Sequence, residues 1–190
     1  MMHIITGSAR GVRLETLAGN ATRPTSERAK EAIFSMLQFD LEQRRVLDLF
    51  AGSGQMGLEA LSRGAAQAVF VDASKEATAI VKRNAEKTRL SARARIVASD
   101  AVSYLDRCTE PPFHLVFLDP PYAAGLLPAA LERLTARALL CEGAIIVAEC
   151  GDPEDLFGGN EALAARYEIL KSKRYGVAHV FLLTPVKEEL

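Results

Sequence analysis

From Arg45 onward the chain alternates between short apolar runs and stretches with helical spacing. Val46 to Phe50, Ala68 to Asp72, Arg95 to Ala98, Leu115 to Leu118 and Ala144 to Ala148 read as buried strands. Gly57 to Arg63, Ser74 to Arg89, Ala101 to Arg107 and Leu126 to Leu139 read as the helices between them. Short hydrophobic strands joined by helical crossovers specify an α/β fold with a mainly parallel, doubly wound sheet. Tyr167 to Lys171 and Ala178 to Thr184 leave no room for a helix between them, so they predict an antiparallel hairpin at the sheet edge. Before this pattern, residues 3 to 17 suit a hairpin around Gly7 and Gly11, and a helix is expected from Ser26 to Gln38. Ala29, Ala32, Ile33, Met36 and Leu37 line its apolar face, and Arg28, Lys30 and Glu31 its polar one. Residues 151 to 161 read as a surface loop. The expected organisation is an N-terminal hairpin and helix appendage over 1–40 and a larger domain over 41–190, packed as one unit.

Composition narrows the function classes. The 190 residues are 49% apolar and 25% charged, with a net charge of −1, so no chain-wide positive field holds nucleic acid or an anionic membrane. No apolar run reaches the roughly 20 residues of a spanning helix, and the first eleven residues lack a secretory pattern. Cys108, Cys141 and Cys150 are odd in number and form no Cys-x-x-Cys pair, which points to a reducing cytoplasm rather than a disulfide scaffold or zinc site. Neither a metal nor a membrane partner is expected.

Gly52-Ser53-Gly54-Gln55-Met56-Gly57 fits G-x-G-x-x-G directly after a strand, and Asp72 stands twenty residues beyond Gly52 at the end of the next strand. Glycines there let the backbone turn tightly and approach a ligand, while a carboxylate on the second strand accepts hydrogen bonds from ribose hydroxyls. The pattern fits an adenosine-containing cofactor without saying which. Asp48 discriminates: near a dinucleotide's phosphates its carboxylate would repel, whereas the sulfonium and ammonium of S-adenosylmethionine would attract it. The competing role for Asp48 is a structural hydrogen bond to loop amides. Asp100, just before the helix at Ala101, stands both where an N-cap belongs and where an adenine amine could be read.

Leu115 to Leu118 runs straight into Asp119-Pro120-Pro121-Tyr122, at the carboxyl end of a strand, where doubly wound sheets keep their sites. Two prolines stiffen the turn and leave its carbonyls free to accept from an outside donor. An amine conjugated to a nucleobase is a poor nucleophile. If the Asp119 carboxylate and Pro120 carbonyl each accept one of its N–H groups while Tyr122 stacks on the ring, the nitrogen lone pair is aimed at a methyl donor. The competing role is a plain strand-to-turn corner.

Asp48-Leu49-Phe50-Ala51-Gly52-Ser53-Gly54 together with Asp119-Pro120-Pro121-Tyr122 resembles the class I, S-adenosylmethionine-dependent amino-methyltransferases. Gly7-Ser8-Ala9-Arg10-Gly11, Arg23-Pro24-Thr25 through Phe34, and Leu58 to Gly64 narrow the resemblance to the bacterial RsmD family, over nearly the whole chain. That family consists of 16S rRNA guanine-N2 methyltransferases, named for guanine 966. The resemblance implies a Rossmann-like, seven-stranded sheet with an antiparallel C-terminal hairpin. It implies cofactor contacts at Asp48 and the Phe50, Ala51, Gly52, Ser53, Gly54 turn, ribose binding at Asp72 and Ala73, and adenine contacts near Asp100 and Ala101. Asp119, Pro120, Pro121 and Tyr122 would bind the target base. The implied partner is 16S rRNA in an assembling small subunit, met by a cytoplasmic monomer.

Charge agrees with an RNA partner. Arg10, Arg13, Arg23, Arg28 and Lys30 outweigh Glu15 and Glu27 in the first thirty residues, so the appendage, with Thr25 among them, could touch phosphates. Three rivals stay open: amino-methylation of DNA adenine or cytosine, an NAD-dependent oxidoreductase, and a nonenzymatic RNA-binding assembly factor.

Overall fold

The computed structural model describes residues 2–17, 27–37, 41–121 and 125–187, with the side chains of Glu27 and Arg28 outside the description. The chain divides into two compact units, Met1–Asp100 and Ala101–Leu190.

In the first unit, β1 (Arg45–Asp48), β2 (Gln67–Asp72) and β3 (Ala94–Ala98) run parallel with β2 in the centre. Val46, Leu47, Val69, Phe70 and Val71 are fully buried, the β-branched and aromatic composition that a strand covered on both faces demands. The crossovers are α2 (Gln55–Ser62) and α3 (Lys75–Lys87). Helix α3 starts where the Ser74 hydroxyl accepts the Ala77 N–H at 3.2 Å, the first-turn satisfaction an N-cap supplies. The expected hairpin over 3 to 17 forms as a single antiparallel bridge, His3 with Arg13, backed by Ile4 N–H to Val12 O at 3.0 Å and Gly11 N–H to Ile4 O at 2.8 Å. It stays short because its tip bonds elsewhere: Ser8 N–H reaches Ser62 O at 2.8 Å and Ala9 N–H reaches Ser62 Oγ at 3.0 Å. Gly7, at φ +89°, passes so close to α2 that a Cβ would fall 1.9 Å from Ser62 O.

Helix α1 (Glu27–Leu37) buries Ala29, Ile33 and Leu37 of the predicted apolar stripe and adds Phe34, while Ala32 and Met36 are half-buried. The expected polar face needs one correction. Lys30 is fully buried; its Nζ donates to His3 O at 2.7 Å and lies 3.7 Å from Glu59 Oε2. Glu59, equally buried, accepts from Ile5 N–H at 2.7 Å, Thr6 N–H at 3.0 Å and Arg63 Nε at 2.8 Å. Lys30 therefore holds the N-terminal segment to α1 and α2 and is not a phosphate contact.

In the second unit, α4 (Ala101–Arg107) leads to β4 (Phe113–Leu118), which pairs parallel with β5 (Leu140–Cys150) across α5 (Leu126–Ala136). Strand β7 (Ala178–Pro185) then runs antiparallel between β5 and β6 (Tyr167–Tyr175), so the hairpin forms with β6 outermost in this unit. Strand β5 is longer than its apolar run because pairing continues beyond it, Leu140 with Phe113 at one end and Cys150 with His179 at the other. The segment 151–161 is more than a loop. It holds a 3₁₀ turn at Pro153–Leu156, capped by Asp152 Oδ1 accepting Glu154 N–H at 3.0 Å, and Leu156 is buried. Asn160 then caps the one-turn helix α6 (Glu161–Ala164). Counted along the chain, the seven strands make a mixed seven-stranded α/β fold. Among the described residues no helix is long and apolar enough to cross a membrane.

Candidate cofactor and acceptor sites

The glycine turn is assembled by its neighbours on both strands. Strand β1 ends at Asp48, whose Oδ2 accepts the Gly57 N–H at 3.0 Å and so fixes the start of α2. Gly54 N–H closes onto Ala51 O at 2.6 Å, and Ala51 N–H is stitched to Val71 O on β2 at 2.9 Å. Gly52 and Gly54 take φ of +52° and +78°, the left-handed region that side chains resist. Gly57 is required for a different reason: a Cβ there would lie 2.3 Å from Phe70 Cε1, so its bare backbone is what lets α2 sit on β2.

Asp72 spans the turn. One carboxylate oxygen accepts Gly52 N–H and the other Ser74 N–H, each at 2.8 Å. Each oxygen keeps lone-pair capacity for a further donor. Asp48 is almost wholly buried, and burial together with the negative Asp72 pushes its carboxyl from 3.8 up to about 7, against the opposing pull of the Gly57 amide. Two neighbouring carboxyl groups, one of them desolvated, favour a positively charged partner beside the glycine turn. The structural bond at Asp48 and the electrostatic demand are thus both present. Phe50, Ser53 and Gly52 are half-buried, Ala51 and Gly54 buried, and Ala73 is exposed after Asp72. Asp100 is exposed at the end of this unit and Ala101 is buried at the start of α4 in the next.

Sequence reading missed Asn84. Fully buried on α3, it accepts Glu15 N–H at 2.8 Å and donates to Glu15 O at 3.0 Å and Ser53 O at 2.9 Å. One amide thereby clamps the N-terminal segment and the glycine turn together. The available signal was an asparagine among the apolar positions Ile80, Val81 and Ala85.

In the second unit, β4 delivers Asp119, half-buried, into Pro120, buried, and Pro121, exposed. Tyr122 lies outside the described residues, as do Arg23 and Thr25; Arg10 and Arg13 are exposed. Pro120 and Pro121 line a cleft with Gly125, Leu127, Glu149, Cys150 and Asp155. Glu149 and Asp155 were not anticipated, although Glu149 stands at the carboxyl end of β5, where such sheets place ligand contacts. Burial and the charges of Asp155, Asp152 and Glu149 push the Cys150 thiol up to about 11, so it stays protonated and is no nucleophile. The cleft is acidic and suits N–H donors.

An antiparallel C-terminal hairpin distinguishes this fold from the all-parallel dinucleotide-binding sheet. With the acid-flanked glycine turn, it defines a class I, Rossmann-like methyltransferase fold. The chain belongs to the family described as Conserved hypothetical protein 95, the RsmD family, whose model matches residues 2–184. It is 32% identical over 178 residues to Ribosomal RNA small subunit methyltransferase D of Haemophilus influenzae, covering 93% of this chain and 90% of that one. The Escherichia coli K12 protein of the same name is 36% identical over 148 residues, covering 78% and 74%. The solved structure of Escherichia coli yhhF superposes with a TM-score of 0.83 at 30% identity, covering 97% of each chain.

Proposed function

We propose that this protein methylates small-subunit ribosomal RNA, moving a methyl group from S-adenosylmethionine to the exocyclic N2 amine of a guanine, the position the family knows as guanine 966. The observation that carries the reading is Asp48: a buried carboxyl raised to about 7 beside Asp72 and a left-handed glycine turn. Such a site disfavours the phosphates of a dinucleotide and favours a cationic nucleoside. The relatives named Ribosomal RNA small subunit methyltransferase D support the same acceptor class.

When bound, S-adenosylmethionine supplies an electrophilic methyl group on a positively charged sulfur. Asp48 and the Phe50 to Gly54 turn would hold its charged end, Asp72 and Ala73 its ribose, and Asp100 and Ala101 its adenine. The Asp119 carboxylate and the Pro120 carbonyl accept the two N–H groups of the guanine amine, and Tyr122 and Pro121 hold the ring. Held this way, the amine lone pair would point at the methyl group, and Asp119 or water would take the surplus proton from the nitrogen. Because the step disperses charge, positioning supplies most of the rate. Residues 1–40 serve as the RNA-contacting appendage, through Arg10, Arg13, Arg23, Thr25 and Arg28. The protein works as a cytoplasmic monomer on an assembling small-subunit particle.

Incubation with labelled S-adenosylmethionine and either immature small subunits or naked DNA tests this. Label on a single guanine N2 of 16S rRNA is expected, and Asp119→Ala abolishes transfer while retaining stabilisation by S-adenosylhomocysteine. Labelling of DNA alone overturns the reading.

A further inference from the structure

We propose that the C-terminal hairpin is a second RNA-contacting surface, on which Lys171 and Lys173 hold backbone phosphates of the acceptor RNA beside the Pro120–Pro121 cleft. The proposal rests on the ribosomal RNA reading above and extends it to a segment that reading does not use.

The argument begins with a register shift. Strand β6 pairs Ile169 with Leu183 but Lys171 with Leu182, so Leu170 is an extra residue, a β-bulge. Beyond it the alternation of faces is reversed. Lys173 stands opposite Val180, which stands opposite Glu149 on β5; Lys171 stands opposite Leu182, which stands opposite Val147. Directly opposed residues share a face, so Lys171, Lys173 and the cleft-lining Glu149 lie on one side of the sheet. Tyr167, whose hydroxyl donates to Leu131 O of α5 at 2.6 Å, belongs to the other side, as does Arg174 in the row with His179 and Cys150, which lines the cleft from that side. Without the bulge the two lysines would join Tyr167 on the α5 side.

Position and charge then fit an RNA strand. Lys173 is two strand spacings from Glu149, about 10 Å, the reach of the nucleotides flanking a base held at the cleft. Arg166 to Val177 carries Arg166, Lys171, Lys173 and Arg174 against Glu168 alone, in a chain of net charge −1. Lys171 and Lys173 are exposed, and Lys173 Nζ rides 5.3 Å above the Tyr175 ring, which limits the orientations its ammonium samples. The cleft lies where β5 ends and is lined from both faces of the sheet, with the lysines on its Glu149 side: carboxylates take the N–H donors of the base and lysines its phosphates.

The test compares Lys171→Gln/Lys173→Gln, the charge-retaining Lys171→Arg/Lys173→Arg, and Lys82→Gln/Lys87→Gln, which removes two exposed cations from α3. Steady-state methyl transfer to immature small subunits and filter binding of a 16S rRNA fragment over a salt series are measured. The Lys171→Gln/Lys173→Gln pair should raise KM at least fivefold with kcat within twofold, and flatten the log–log salt dependence by roughly 1.5. Stabilisation by S-adenosylhomocysteine should be unchanged, the arginine pair should behave like the unaltered protein, and the α3 pair should shift KM less than twofold. An unchanged KM and salt slope in the Lys171→Gln/Lys173→Gln pair overturns the proposal, and so does an equal effect from Lys82→Gln/Lys87→Gln, which would mean that only net charge matters. If the unaltered protein labels no small-subunit RNA, the acceptor reading fails instead, and the RNA-binding comparison still decides the hairpin's role.

Discussion

Replacing Asp48 with Asn should make the ligand-free protein more stable while weakening binding of the proposed cofactor. Raising the carboxyl from 3.8 to about 7 corresponds to ~4 kcal/mol of preference for its protonated form, an upper bound on what ionisation costs the fold. Asn keeps an oxygen for the Gly57 N–H and carries no charge, but its new N–H donors need partners, at ~1–3 kcal/mol if unmet. A net gain of ~1–3 kcal/mol is expected at about pH 8. The sign follows from proton linkage. Asp48 titrates higher in the folded state than in the unfolded chain, so between about pH 4 and pH 7 the folded state binds more protons and wild-type stability falls as pH rises. Below that window both states are protonated and the advantage of Asn disappears; above it the advantage is constant. Urea unfolding of both proteins at about pH 4.5, 6 and 8 reads this directly. Calorimetry at about pH 8 should show S-adenosylmethionine affinity falling at least tenfold, because the proposed site sets the Asp48 charge against the cofactor's cation. A variant less stable than wild type at about pH 8, or with an unchanged pH profile and intact affinity, would refute the electrostatic account.

Three further outcomes concern the frame. Gly57→Ala puts a Cβ 2.3 Å from the Phe70 ring and should cost ~1–3 kcal/mol by urea unfolding, through displacement of α2 rather than backbone strain. Glu59→Gln leaves Lys30 buried without its counter-charge and should destabilise by ~3–5 kcal/mol; Lys30→Met with Glu59→Gln should recover part of the loss in the same assay. Asn84→Ala removes the bonds to Glu15 and Ser53, and limited proteolysis should then release the N-terminal segment faster while S-adenosylhomocysteine stabilises the protein less.

Much of the molecule was readable in one dimension because its signals are local. Parallel strands buried on both faces must be short apolar runs, helices must carry a periodic stripe, and a left-handed turn needs glycine, so β1 to β4, α4, the hairpin and the Asp48 to Gly57 turn all stand within a few residues of their expected places. Partnerships between distant residues leave no such trace. Lys30 looks like one more surface cation until Glu59 and His3 O close around it, and Asn84 looks like a polar helix residue until it meets Glu15 and Ser53. Glu149 gains meaning only when β5 ends beside Pro120, and Lys171 and Lys173 only when pairing with β7 inserts Leu170 as a bulge. Periodicity along a chain decides which residues are buried, because burial follows from each element's own geometry. Which charge meets which, and which face a side chain takes beyond a bulge, depends on contacts between segments far apart in sequence, and those exist only after folding.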